Sequence, residues 1–85
     1  MKNFPFLGPL QIGLADMNAE EIKIVQKGLN EVLSKDLVDN GHYGCYTEKI
    51  VKEFQEKFGL KTDGIFNEFC WNILRGKINN KLLFD

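Results

Sequence analysis

A chain of 85 residues has room for one hydrophobic core, because domains of this size already fold with little margin. Its 44% hydrophobic and 27% charged residues are ordinary for a globular protein and exclude wholesale disorder. The formal net charge is -1 and Arg75 is the single arginine, so both the basic field and the bidentate clamps that hold polyphosphate are lacking, and nucleic acid is excluded as the main partner.

Residues 1–17 carry Pro5, Gly8, Pro9 and Gly13 among Phe4, Phe6, Leu7, Leu10, Ile12 and Leu14. Proline fixes φ and removes a donor, so neither a helix nor a central strand fits. An extended apolar arm is expected, laid over its own domain or meeting a partner. Pro5, Pro9 and Gln11 interrupt the run too early for a signal-peptide core. No stretch approaches the roughly 20 apolar residues of a membrane span, so a soluble domain is expected.

Asn18 is a good helix N-cap, with Glu21 three residues later as in a capping box. Ile22, Val25, Leu29, Val32 and Leu33 then recur at helical spacing and predict a helix over about 19–35. Gly28 inside it costs about 1 kcal/mol relative to Ala and implies a close helix contact. After the charged link Lys35–Asp39, Asn40-Gly41 predicts a tight turn, because both residue types tolerate positive φ. Thr47 reads as the cap of a second helix over 47–58, with Glu48 in its first turn and Ile50, Val51, Phe54 and Phe58 as its buried stripe. Gly59 supplies the left-handed stop, and Leu60 folds back on the stripe. Asp63-Gly64 is a second tight turn, followed by the short extended piece Ile65-Phe66. A third helix over about 68–75 carries Phe69, Cys70, Trp71, Ile73 and Leu74, with Gly76 as its stop. The tail 77–85 reads either as a further helical turn or as an irregular strap.

The two turns echo each other. Gly41-His-Tyr-Gly-Cys-Tyr-Thr47 and Gly64-Ile-Phe-Asn-Glu-Phe-Cys70 share one layout, and Ile50 and Val51 fall where Ile73 and Leu74 fall. Tandem turn-then-helix units are expected. Cys45 and Cys70 occupy non-equivalent places in the units, so the repeat gives no reason to pair them, and one disulfide or none is compatible with the spacing.

His42, Cys45, Asp63 and Cys70 make a weak case for zinc, since Cys70 has no close partner thiol and structural zinc wants two ligand pairs. A Cys45 nucleophile would need a base held by a third group, and one His does not supply that. No metal, cofactor or catalytic residue is expected. The acidic pairs Glu20-Glu21 and Glu53–Glu56 read as solvated helix faces. Phe54, Phe58 and Phe66 read as core. Tyr43 and Trp71 either fill the core under the turns or stack on a ligand, and Tyr46 is the aromatic expected to be exposed.

In order and spacing, several pieces resemble one family: Val25-Gln26 with Leu29, Asn40-Gly-x-Tyr-Gly-x-x-Thr47, Ile50-Val51-x-x-Phe54-Gln55, Phe58-Gly59-Leu60, Asp63-Gly64-Ile65-Phe66 and Trp71-x-x-Leu74. It is the peptidoglycan-binding-like domain found beside catalytic domains in bacterial and phage cell-wall hydrolases. The resemblance implies an all-α fold, a compact three-helix bundle with two Asx-Gly turns. The chain then divides into the arm 1–17, the domain 18–76 and the tail 77–85. It also implies a non-catalytic module of the cell envelope or extracellular space that binds peptidoglycan and targets or tethers a wall hydrolase. The expected groove is lined by the turns and by the starts of the second and third helices, with Asn40, His42, Tyr43, Tyr46, Asp63, Asn67 and Trp71 as ligand contacts. The prodomains of matrix metalloproteinases resemble the same fold and use it to pack on an enzyme. A protein–protein module working through the apolar arm is therefore the alternative. The sequence departs from the family pattern at Asn67, where Gly is usual and where Asn is the next-best residue for positive φ. It departs also at Cys70, where a Thr hydroxyl is usual, and at Asn40, where Asp is usual.

Overall fold

The computed structural model describes residues 6–84 and the side chains up to Ile78. Phe4 and Pro5 of the arm, Asp85, and the packing of Leu82, Leu83 and Phe84 lie outside the described residues. Three helices follow in chain order: α1 (Ala19–Leu33), α2 (Cys45–Lys57) and α3 (Glu68–Phe84). The fold is an all-α three-helix bundle, with α1 packed against both other helices. Val25, Leu29, Ile50, Val51, Phe54, Phe66 and Leu74 are sealed between the elements. Each such burial stabilises the fold by about 1.5–3 kcal/mol. Surface ion pairs such as Lys35–Glu53, at 3.2 Å, add at most about 1 kcal/mol each, so the core decides stability.

Asn18 caps α1 through its side chain, which accepts the Glu21 N–H at 3.1 Å. The helix ends at Leu33, two residues before the expected end, and its C-cap Ser34 takes the left-handed conformation usually given to Gly or Asn. The link beyond it is pinned by Asn30. Its amide donates to the Leu37 carbonyl at 2.7 Å, and its Oδ1 accepts the Leu37 N–H at 2.8 Å. Leu37 is thereby held in the core.

Helix α2 starts earlier than the sequence implies. Gly44 is its N-cap residue and makes no side-chain cap, so Thr47 is the third helical residue and not the cap. The Thr47 side chain is turned inward instead, where it accepts a buried hydrogen bond from Gln26. The C-terminus of α2 follows expectation: the Leu60 N–H reaches the Gln55 carbonyl at 2.8 Å and the Gly59 N–H reaches Glu56 at 3.3 Å, a Schellman pair.

Asn67 is corrected too. It has no positive φ; its Oδ1 caps α3 by accepting the Cys70 N–H at 3.0 Å. Gly44, its counterpart in the first unit, also has a negative φ, -103. Gly76 does not stop α3, which runs on without a break to Phe84, so residues 77–84 continue the helix.

The described part of the arm lies on its own domain. Leu10 is buried and exchanges both backbone hydrogen bonds with Phe66, at 3.0 and 2.8 Å. Phe6 stacks on Trp71, with ring centroids 5.5 Å apart. Glu21, expected on a solvated face, is buried beneath this arm because its carboxylate accepts the Leu7 N–H at 2.6 Å. Leu7, Ile12 and Leu14 remain exposed along it.

Candidate functional site

Two Asx-Gly turns dominate the molecule's irregular surface, and both are built alike. Asn40 Oδ1 accepts the His42 N–H at 2.9 Å, and Asp63 Oδ1 accepts the Ile65 N–H at 2.9 Å. Each turn is then clamped by a buried glutamine from the preceding helix. Gln26 on α1 accepts the Gly41 N–H at 3.0 Å and donates to the His42 carbonyl at 3.0 Å and to Thr47 Oγ1 at 3.1 Å. Gln55 on α2 accepts the Gly64 N–H at 2.9 Å and donates to the Ile65 carbonyl at 2.9 Å and to Asp63 Oδ1 at 3.0 Å. It also lies 3.6 Å from Cys70 Sγ, the position equivalent to Thr47.

The repeat is thus present in the main bonds of each turn: an Asx oxygen bonded to the N–H of the second residue after it, and a glutamine accepting from the glycine and donating to the next carbonyl. Turn residues and the helices that follow them are offset by 23 residues, whereas the clamping helices are offset by 29. Both glycines sit at positive φ, +78 and +76. A Cβ on Gly41 would fall 3.0 Å from the Ala19 carbonyl oxygen and 3.3 Å from Lys23 Cε. On Gly64 it would fall 2.8 Å from Glu48 Cγ and 3.1 Å from Lys52 Cε, the residues 29 positions on. The close approach and the left-handed backbone both demand glycine.

Two of the expected contact residues are enclosed. Tyr43 is 2% exposed and Trp71 3%, so both rings fill the core under the turns rather than facing a ligand. The Tyr43 hydroxyl donates to the Gly64 carbonyl at 2.6 Å and so ties one turn to the other. Burial pushes this phenol above its ordinary range, and the Glu48 and Asp63 carboxylates push it the same way. It stays a neutral donor. Asn40 and His42 are exposed, whereas Asp63 and Asn67 are half-buried, with Asn40, Asp63 and Asn67 each using an oxygen to hold turn or cap geometry. The His42 ring lies beside Gly44, 3.2 Å from where a Cβ would stand. Tyr46 is 48% exposed. Of the expected contact set, Asn40, His42 and Tyr46 are therefore open to solvent, and Asp63 and Asn67 are partly so.

The placement of three residues near the turns escapes the sequence reading. Phe69, read as part of the third helix's apolar set, is 73% exposed. Its signal was available: it stands 23 residues after Tyr46, in the same place of the repeat. Gln26 and Gln55 were visible as family positions, but nothing in their spacing to the turns, which differs between the units, marked them as clamps. Cys45 is an exposed free thiol and Cys70 a buried one. Among the described residues no group of three or more His, Cys, Asp or Glu side chains is placed to hold a metal ion. Among the same residues no helix is long and apolar enough to cross a membrane.

The family model described as "Putative peptidoglycan binding domain" matches residues 18–74. The chain belongs to this family. The match covers both turns, both clamps and the start of α3, leaving the arm and the distal part of α3 outside it. No curated protein and no solved structure gave a significant match.

Proposed function

We propose that this peptidoglycan-binding domain is a non-catalytic module that holds the bacterial cell wall and so concentrates a wall hydrolase, tethered or partnered, on its substrate. The observation that carries the reading is the family match across both clamped turns. Buried amides hold the turns, and His42 and Tyr46 stand exposed beside them. Rigid display reduces the ordering cost of binding. A weak wall contact becomes effective once a second module shares the same chain or complex, because the linked site acts at high effective concentration.

Co-sedimentation with purified sacculi tests this reading. The protein pellets with the sacculi at low salt alongside a positive-control wall binder; protein that stays in the supernatant while the control pellets sinks it. A protein–protein role through the arm draws support from the exposed Leu7, Ile12 and Leu14. Replacing these three with serine leaves wall binding intact under the first reading. Under the second, the changes abolish association with a hydrolase or with a second copy.

A further inference from the structure

Glu21 is a buried carboxylate whose cover comes from outside the helical bundle. It accepts the Leu7 N–H at 2.6 Å. The cleft beside it is walled by residues of the segment 7–18, among them Leu7, Leu10, Leu14, Asp16 and Met17. Lifting the arm therefore opens this carboxylate to water while α1 keeps its place.

The arm is fastened at few points. Phe6 stacks on Trp71, Leu7 bonds Glu21, and Leu10 exchanges two backbone hydrogen bonds with Phe66. Between this strip and α1, residues 12–16 are exposed, and the backbone takes positive φ at Gly13 and Asp16. A segment so lightly anchored, on an exposed link, opens at a lower free energy than the bundle unfolds.

Charge sets how readily it opens. A buried carboxylate without a paired cation is costly. The charged groups on the elements around Glu21 are Asp16 in the link, Glu20 and Lys23 on α1, and Glu68 and Arg75 in the first half of α3. Among the described residues none of these forms an ion pair with Glu21, and Asp16 adds a like charge to the same cleft. The start of α1 favours the ionised form, but it does so whether the arm is docked or lifted. Burial outweighs the Leu7 N–H and holds the carboxyl above its ordinary 4.5.

We infer that residues 6–10 are a proton-operated latch: the arm closes on the bundle when Glu21 is protonated and loosens, with the helices intact, when Glu21 ionises. The protonated carboxyl still accepts the Leu7 N–H through its carbonyl oxygen, so the bond survives while the buried charge disappears. Docking is strongest below the ordinary value and weakens as pH rises through the raised one. Release uncovers the Trp71 face that Phe6 covers and frees the backbone groups of Phe66. The latch does not depend on the wall-binding reading.

Native-state hydrogen exchange of the whole chain between about pH 4 and 7 tests it, with protection corrected for the intrinsic pH dependence of exchange. The Leu10 and Phe66 amides report the arm, and those of Val25 and Phe54 report the bundle. Across that range protection at Leu10 and Phe66 is expected to fall roughly three- to tenfold relative to Val25 and Phe54. Glu21→Gln abolishes the fall and keeps both arm amides protected at neutral pH, whereas Asp16→Asn leaves the fall in place. Circular dichroism confirms that the variants are folded. A parent whose arm amides stay level, or follow Val25 at every pH, overturns the latch. So does a Glu21→Gln chain that keeps the fall, or an Asp16→Asn chain that loses it. The parent and the Asp16→Asn chain decide the matter even without a folded Gln variant.

Discussion

Folding moves two carboxyl groups in opposite directions. Burial raises Glu21 above its ordinary 4.5, and the Leu7 N–H offsets part of that rise. The folded chain therefore takes up this proton more readily than the unfolded one. The contribution is fully present below pH 4.5 and is lost as pH rises through the raised value. Glu21→Gln keeps an acceptor for Leu7 without burying a charge. Urea unfolding should show it more stable than the parent at neutral pH, with the difference closing on acidification. Asp63 goes the other way. The Ile65 N–H is the main cause of its lowered value, with help from the Gln55 amide and from Lys61, against an opposing effect of burial. Its contribution is present above its ordinary 3.8 and is lost as pH falls through the lowered value. Asp63→Asn copies Asn40, so it should cost under about 1 kcal/mol at neutral pH and flatten the acid limb of a stability–pH curve. Asp63 was legible as a turn residue from Asp-Gly alone. Glu21 was not, because its burial depends on where an arm fourteen residues earlier comes to rest.

At the level of elements, the sequence marked every helix by its apolar spacing but misplaced several ends. Thr47 looked like a cap because Thr caps helices, yet a buried Gln26 amide competed for its hydroxyl and the helix began at Cys45. Ser34 carried no glycine signal at a left-handed stop. Gly76 carried a stop signal inside a continuing helix, where a Cβ would meet nothing within 4 Å. Gly76→Ala is therefore expected to stabilise the protein by about 0.5–1 kcal/mol and to raise its helicity in circular dichroism. Were Gly76 a left-handed stop, the same change would be destabilising. The clamps predict more. Gln26→Ala and Gln55→Ala each strand a loop N–H and a carbonyl in the interior, and each should cost about 2–4 kcal/mol in chemical unfolding.

Across the whole molecule, the repeat in the sequence proved to be a repeat in bonding, and two unlike offsets hid its extent. The α2-to-α3 register places Ile78 where Gln55 stands, and Ile78 is apolar and packed against the core. At that position α3 thus carries no amide clamp. The family was legible only because many weak motifs fell in order; no single residue would have named it. Tyr46 was correctly read as exposed, and Tyr43 and Trp71 were ambiguous because the same amphipathic ring suits a core and a ligand equally.

The buried glutamines also make a statement about time. Loop amides usually exchange their hydrogens with water in fast local openings, since nothing beyond the loop has to move. Gly41 and Gly64 are loop residues whose N–H groups end on side chains sealed inside the bundle. Releasing either one leaves a buried glutamine oxygen without its partner, which opposes a local opening. In native-state hydrogen exchange these two amides should therefore trade protons as slowly as those of Val25 or Phe54, at the rate of global unfolding. Fast exchange at Gly41 and Gly64 beside slow exchange in α1 and α2 would show that the turns open on their own.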